Sequence, residues 1–199
     1  MKLEMDLVTL FPDYFEGPLA ESLLGKAQKK GLVQIRVHNL RDHTHDRHKT
    51  VDAKPFGGGP GMVMMPAPIF DCVERIRGGS SLGSDHKRVG VRPQQKGWVI
   101  LLDPKGEPFT QKIARKLARK KHLILIAGHY EGVDYRVHDH LADQVLSVGD
   151  FVTMGGEAPA LCVVEAVVRL VPGVVGNRDS LKAESFESEA LEYPQYTRP

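Results

Sequence analysis

The chain is poor in cysteine, in long apolar runs and in excess charge, and each shortage excludes a class of protein. Two cysteines among 199 residues cannot build a disulfide framework and are typical of a reducing cytoplasm, the location we expect. No apolar run approaches the roughly 20 residues that a membrane-spanning helix needs. A net charge of +2 excludes binding to nucleic acid by bulk electrostatics, so any such contact must come from a local patch.

The common nucleotide-binding signatures are also missing. The first apolar segment runs into Phe11 and Pro12 without a G-x-G-x-x-G sequence, which excludes an ordinary Rossmann site. Residues 56–62 are glycine-rich, but no strand precedes them and no Gly-Lys-Ser/Thr follows, so they are not a P-loop. They form either a flexible surface loop or a backbone surface that another large molecule can approach closely.

The chain does contain alternating strand and helix patterns, as an α/β fold requires. Hydrophobic residues make up 41% and charged residues 26%, which is typical of one globular domain with its own core. Apolar runs predict strands at 3–10, 32–37, 98–102, 123–127 and 145–148. Helical spacing predicts helices from residue 12 to before 31 and at 66–76, 110–121 and 158–170. Near-continuous apolar strands between helices predict a parallel sheet covered by helices on both faces.

Three loops at the ends of predicted strands are candidates for a ligand site. They are residues 103–106, 128–134 and 149–157, and the last two are rich in glycine. Ligands of open α/β sheets bind beyond the carboxyl ends of the strands, and glycine lets the backbone approach them closely. Three such loops would suit a flat adenine with its ribose. Residues 39–61 and 78–96 show no periodicity and predict a long loop and an exposed insertion.

Two charged segments allow more than one interpretation. Residues 42–49 hold three histidines, but their spacing matches no zinc pattern and the neighbouring Arg47 and Lys49 would repel a cation. An RNA-contacting loop, or a loop capped by its own side chains, fits better. In the basic segment 112–121, Ile113 and Leu117 take the inner face of a helix. The cations outside are either a solvated face or a surface that follows phosphates.

The motifs taken together resemble a known family. Residues 44–48, 57–62, 128–134, 147–152 and 196–199 closely resemble, in the same order, the bacterial tRNA (guanine-N1)-methyltransferases. The resemblance implies methylation of the guanosine immediately 3′ of the anticodon. It also implies the SPOUT class of parallel α/β folds, with a deep C-terminal trefoil knot, working as a homodimer on tRNA.

The resemblance further implies a set of site residues. S-adenosylmethionine would be bound by Leu102, Pro104, Gly128, Val148, Gly149, Asp150, Phe151, Val152, Thr153, Gly155 and Gly156. Glu131 would lie at the same site near the target base, and Glu192 would reach the cofactor from the partner subunit. The family's base maps to Glu184 and its contact to the guanine O6 maps to Arg169. No metal is expected, because the methyl sulfonium is already an activated electrophile.

Two departures from the family pattern affect these expectations. The family's usual base is Asp in an Asp-Ser-Phe sequence, whereas Glu184 reaches one methylene further; Asp179 is a second candidate. We expect residues 1–170 to form the catalytic domain and 171–199 an acidic tail carrying the base, without the family's C-terminal tRNA-gripping domain. A SPOUT methyltransferase with another RNA target, such as a ribose hydroxyl, and a cofactor-binding or RNA-binding module without catalysis remain alternatives. Without the resemblance, Arg169 could simply complement the negative end of its helix.

Overall fold

The described part of the computed structural model comprises residues 2–78, 97–177, 184–186 and 192–198. Most of the predicted insertion, residues 79–96, lies outside this part, and so does the second candidate base, Asp179. Within it the chain forms seven strands: β1 (Leu3–Thr9), β2 (Val33–Asn39), β3 (Asp52–Ala53), β4 (Val63–Met64), β5 (Trp98–Pro108), β6 (His122–Ala127) and β7 (Gln144–Ser147).

Five of these strands form one parallel sheet in the order β2-β1-β6-β5-β7. The central strands are apolar on both faces because helices cover both. Leu123 and Leu125 of β6 face one core and Ile124 and Ile126 face the other. The parallel α/β sheet predicted from the apolar runs is therefore confirmed.

In the described ranges six helices surround the sheet: α1 (Glu16–Ala20), α2 (Ser22–Lys29), α3 (Pro66–Ile76), α4 (Gln111–Leu117), α5 (Tyr135–His140) and α6 (Glu157–Val168). The bounds of α3 match the prediction. Helix α4 begins after the cap Thr110, whose hydroxyl accepts a hydrogen bond from the Ile113 amide, and ends four residues before the predicted Lys121. None of these helices is long and apolar enough to cross a membrane.

The single helix predicted after Pro12 was wrong, because the chain there forms three short pieces. A 3₁₀ turn at Pro12–Phe15 leads into α1, and α2 starts afresh at Ser22, whose φ is +49°. Gly25 explains the packing at this break, since a Cβ there would lie only 2.0 Å from the carbonyl oxygen of Ala20. The two helices therefore meet backbone to backbone.

Residues 39–61 contain more structure than predicted. A 3₁₀ turn at Leu40–His43 is capped by the side chain of Asn39, and β3 pairs with β4 in a short antiparallel ribbon. Helix α5 was also not predicted. It is only six residues long, and Val137 is its one buried residue.

The sheet holds a buried ionic cluster around Asp6 in β1. The carboxylate is fully buried and accepts a hydrogen bond from Arg36 Nε at 2.8 Å. His38 and His122 on the flanking strands lie 2.6 and 2.5 Å from its oxygens. Burial alone would raise the pKa of Asp6, but the hydrogen bonds outweigh burial and lower this pKa far below its usual range.

Candidate functional site

A cleft opens at the carboxyl edge of the sheet, where the loops after β5, β6 and β7 meet. Ten of the residues that the resemblance implies for the cofactor line it: Leu102, Pro104, Gly128, Glu131, Val148, Phe151, Val152, Thr153, Gly155 and Gly156. Asp103, Lys105, His129, Tyr130 and Ser147 add further polar groups to the lining. The three strand-end loops that we predicted to converge therefore do meet in one cleft.

Main-chain hydrogen bonds hold the loops of this cleft together. The Gly156 amide donates to the Gly128 carbonyl at 2.7 Å, which joins the start of α6 to the end of β6. The Glu131 amide donates to the Met62 carbonyl at 3.0 Å, which joins the β6 loop to the segment before β4. These two bonds tie together main-chain segments on different sides of the cleft.

Gly155 and Gly156 let two layers of the cleft wall approach closely. A Cβ on Gly156 would lie 2.7 Å from the Ala127 Cα and from the Gly128 nitrogen. A Cβ on Gly155 would lie 2.3 Å from the Glu157 carboxylate and from the His129 ring. Because both positions are filled by other protein atoms, neither glycine can gain a side chain without moving the wall.

A buried carboxylate behind the cleft was not predicted from the sequence. Glu157, the first residue of α6, is 4% exposed and accepts a hydrogen bond from the Thr9 hydroxyl at 2.7 Å. Its other oxygen lies 3.6 Å from Nδ1 of His129. The only sequence signal was an acidic residue directly after two glycines, at the start of an apolar helix.

Asp103 forms a second polar contact at the cleft. Its carboxylate lies 3.3 Å from Nε2 of His138 on α5, and both side chains are about nine-tenths buried. The ring of Tyr135 stacks on His138 at 4.8 Å. Because α5 was not predicted, this contact was not predicted either.

Three residues implied for the cofactor do not line the cleft of their own chain. Gly149 and Asp150 lie in the loop after β7, beside the cleft-lining Phe151, whose ring fills the space next to Gly149. Glu192 lies in the described part of the tail, where its amide donates to the Ser185 hydroxyl at 3.1 Å. Its implied contact from a partner subunit stays a prediction.

The glycine-rich loop 57–61 lies beside the cleft. Gly57, Gly58, Gly59 and Gly61 have φ between +76° and +127°, a backbone that other residues rarely adopt. A Cβ on Gly61 would lie 2.4 Å from the Glu131 side chain. The loop therefore packs its backbone directly against a residue of the cleft.

The histidine-containing segment 42–49 is capped by its own side chains, one of the two interpretations that we favoured. Asp46 accepts hydrogen bonds from the amide and the hydroxyl of Thr50, at 2.9 and 2.7 Å. These bonds lower the pKa of Asp46. His45 bonds to the buried Asp71 at 2.8 Å. In the described part of the chain, no group of three or more His, Cys, Asp or Glu side chains converges as metal ligands do.

The two candidate catalytic residues form an ion pair with each other. Arg169 caps the end of α6, and its two terminal nitrogens donate to the two oxygens of Glu184 at 2.7 and 2.5 Å. The hydrogen bonds from Arg169 lower the pKa of Glu184, and the hydrogen bonds to Glu184 raise the pKa of Arg169. Arg169 therefore does not only balance the negative charge at the end of α6; it also binds a specific carboxylate.

This ion pair is far from the cleft of the same chain. Gly156 lines the cleft immediately before α6, whereas Arg169 follows the last residue of that helix. Arg169 is twelve positions after Glu157, which at a rise of 1.5 Å per residue is about 18 Å. The structure therefore forms two groups of candidate residues, at opposite ends of α6.

Comparison with known proteins gives consistent matches. Residues 1–199 match the family model described as tRNA (guanine-1)-methyltransferase. The tRNA (guanine-N(1)-)-methyltransferases of Dictyoglomus turgidum, Geobacillus kaustophilus and Bacillus subtilis are 52%, 50% and 46% identical over 197 residues. These matches cover 99% of this chain and 74%, 75% and 76% of the relatives.

A solved structure shows the same fold. The crystal structure of tRNA (m1G37) methyltransferase from Aquifex aeolicus matches with a TM-score of 0.77 at 33% identity. The match covers 100% of this chain and 77% of that one. The chain thus spans about three quarters of the length of these relatives.

Proposed function

Because the chain belongs to the tRNA (guanine-1)-methyltransferase family, we propose that it methylates N1 of the guanosine immediately 3′ of the anticodon in tRNA. Such a reaction needs a methyl donor, and we propose S-adenosylmethionine. The observation that carries the proposal is the cleft of three strand-end loops, two of them glycine-rich, found in a chain that matches the family from end to end. A tRNA substrate also supports the cytoplasm as the location.

The cleft suits this donor chemically. Its apolar side chains, such as Leu102 and Val148, and its glycine backbone would accept a flat adenine with its ribose. The carboxylates of Asp103 and Glu131 supply acceptors for hydroxyl and ammonium groups, and Lys105 supplies a cation for a carboxylate. When bound, S-adenosylmethionine supplies a methyl group already activated by a sulfonium.

The protein has to make guanine N1 nucleophilic, because this nitrogen carries a proton. A carboxylate that accepts the proton and a cation that stabilises the negative charge developing on O6 together meet this need. Glu184 and Arg169 are these two groups in our proposal. Their pairing supports this assignment. In the ion pair the guanidinium donates hydrogen bonds, as it would to guanine O6. The carboxylate accepts them, as it would from guanine N1–H.

The guanine edge would therefore replace the ion pair when it enters between the two side chains. Until then Arg169 holds Glu184 ionised, since the hydrogen bonds between them lower the carboxyl pKa. Proton transfer from N1 would give a neutral Glu184 and an O6 charge facing Arg169. Glu184, one methylene longer than the family's usual Asp, reaches both terminal nitrogens of Arg169.

We further propose that the working enzyme is a homodimer whose sites lie between subunits. The separation of about 18 Å along α6 supports this, because it exceeds the length of an arginine side chain. The donor cleft of one subunit would then face Arg169 and Glu184 of the other. Glu192 of the tail would approach the same shared site.

The test is the rate of methyl transfer to an unmodified tRNA transcript, with the modified nucleotide mapped by mass spectrometry. Glu184→Gln should lower the rate by about 10²–10⁴-fold, the scale of losing a general base. Binding of S-adenosylmethionine, measured by calorimetry, should stay unchanged. Glu165→Gln is the matched control, because Glu165 is an exposed carboxylate one turn before Arg169.

The outcomes distinguish the proposal from its alternatives. An unchanged rate in Glu184→Gln would exclude N1 chemistry through this carboxylate and favour a ribose hydroxyl as target. Binding of the donor without methyl transfer by the unmodified chain would favour a module without catalysis. Methylation at any other nucleotide would contradict the proposed target directly.

A further inference from the structure

Helix α4 and the turn after it present an exposed face of positive charge. Residues 108–130 contain no aspartate or glutamate, whereas six lysines and arginines lie between 112 and 121. Lys112 and Lys116 lie one turn apart on α4, Arg119 lies in the turn directly after it, and all three are exposed. Ile113 and Leu117 are buried on the opposite side, as predicted. We call the three exposed cations the α4 face.

Some other surface cations are paired with acidic residues. Lys49 pairs with Asp42 at 3.1 Å, and Arg136 pairs with Asp134 at 2.7 Å. Among the residues that the structure describes, none forms an ion pair with Lys112, Lys116 or Arg119. Because the whole chain carries only +2, six cations in a segment without an acidic residue are a local excess of positive charge.

The position of the α4 face relates it to the candidate base. Helix α4 packs against α6, which ends at Arg169. Arg115, on the same helix, donates to the carbonyl of Phe186 at 3.0 Å, two residues beyond Glu184. The tail that carries the carboxylate is thus bonded to the helix that carries the exposed cations.

We propose that the α4 face binds phosphates of the tRNA strand that carries the target guanosine. The inference rests on the proposed function, since a guanine between Arg169 and Glu184 brings its own backbone to this side of the molecule. Lysine and arginine side chains that neutralise phosphates release counterions, which gives affinity without sequence preference. The α4 face would therefore hold the strand, while the ion pair selects the base.

The experiment compares two triple variants of the full chain. Lys112→Gln, Lys116→Gln and Arg119→Gln together remove the α4 face. Lys26→Gln, Lys29→Gln and Lys30→Gln remove three exposed charges from α2 and its C-cap, and α2 packs on β2 at one edge of the sheet. Binding of fluorescent unmodified tRNA transcript is measured between 50 and 200 mM salt, values at which phosphate contacts change affinity by orders of magnitude.

The α4 variant should bind the transcript about 10- to 100-fold more weakly at the low-salt end, and its log–log salt slope should shrink by about two. The α2 variant should bind nearly as the unmodified chain does, and both should bind S-adenosylmethionine normally. Unchanged binding by the α4 variant, or equal losses in both variants, would overturn the inference. This experiment measures tRNA binding and not methyl transfer. If the wild-type chain failed to transfer a methyl group, that result would contradict the proposed function, but the comparison of the two variants would still test the α4 face.

Discussion

Gly156→Ala tests whether the close contact between α6 and β6 shapes the donor cleft. The added Cβ would lie 2.7 Å from the Ala127 Cα and the Gly128 nitrogen, whereas ordinary contact begins at 3.4 Å, so the backbone must move by about 0.7 Å. The same movement stretches the hydrogen bond of 2.7 Å from the Gly156 amide to the Gly128 carbonyl. Losing that bond costs about 1 kcal/mol and overpacking costs about 1–3 kcal/mol.

The expected result is a free energy of unfolding lower by about 2–4 kcal/mol, measured by denaturant titration. The affinity for S-adenosylmethionine, measured by calorimetry, should fall at least about tenfold, which corresponds to only about 1.4 kcal/mol. Gly17→Ala in α1 is the matched control, because no atom lies within 4 Å of its added Cβ. Unchanged stability and donor affinity in Gly156→Ala would refute the claim that this contact is rigid.

Two other changes test the ionic pairs. Asp6→Asn should lower the free energy of unfolding by about 1–3 kcal/mol at neutral pH, because a neutral amide replaces the buried carboxylate that accepts hydrogen bonds from Arg36. Folding lowers the pKa of Asp6, so the carboxylate contributes to stability above its unfolded pKa of about 3.9, and this contribution is lost as pH falls. The variant lacks this contribution, so its free energy of unfolding should fall less steeply as pH is lowered in an acid titration. Arg169→Ala should lower the methylation rate by about 10²–10³-fold. It should also move the ascending limb of the pH–rate profile to higher pH, because the pKa of Glu184 is then no longer lowered.

Each of these has a result that would contradict it. Wild-type stability in Asp6→Asn would mean that the cluster contributes little net energy. In Arg169→Ala, a limb at unchanged pH would show that another group titrates in the rate-limiting step. Loss of donor binding in the same variant would show that Arg169 is structural.

The sheet was predictable because its signal is local. Strands buried on both faces need continuous apolar residues, and those of β5 and β6 stand out in the sequence. The ends of these strands then indicated where a cleft would form. Helix α3 was equally clear, since its apolar face and its first proline are both local features.

The parts that were missed depend on contacts between distant residues. The break before α2 follows from the approach of Gly25 to Ala20, which no helical periodicity reveals. Glu157 is held by Thr9 from the other end of the chain, and only the fold brings the two together. The passage of the chain through a knot, which the resemblance implies, is likewise not encoded in any local pattern.

The length of α6 has a consequence for mixed populations of the protein. Suppose that the donor cleft and the proton acceptor of each active site come from different subunits. A subunit with a damaged cleft then still carries an intact Glu184, and a subunit without Glu184 still carries an intact cleft. Two inactive variants, one of each kind, would then complement each other when their subunits exchange. In a dimer of one variant and one wild-type subunit, the variant subunit would inactivate a site to which the wild-type subunit also contributes residues.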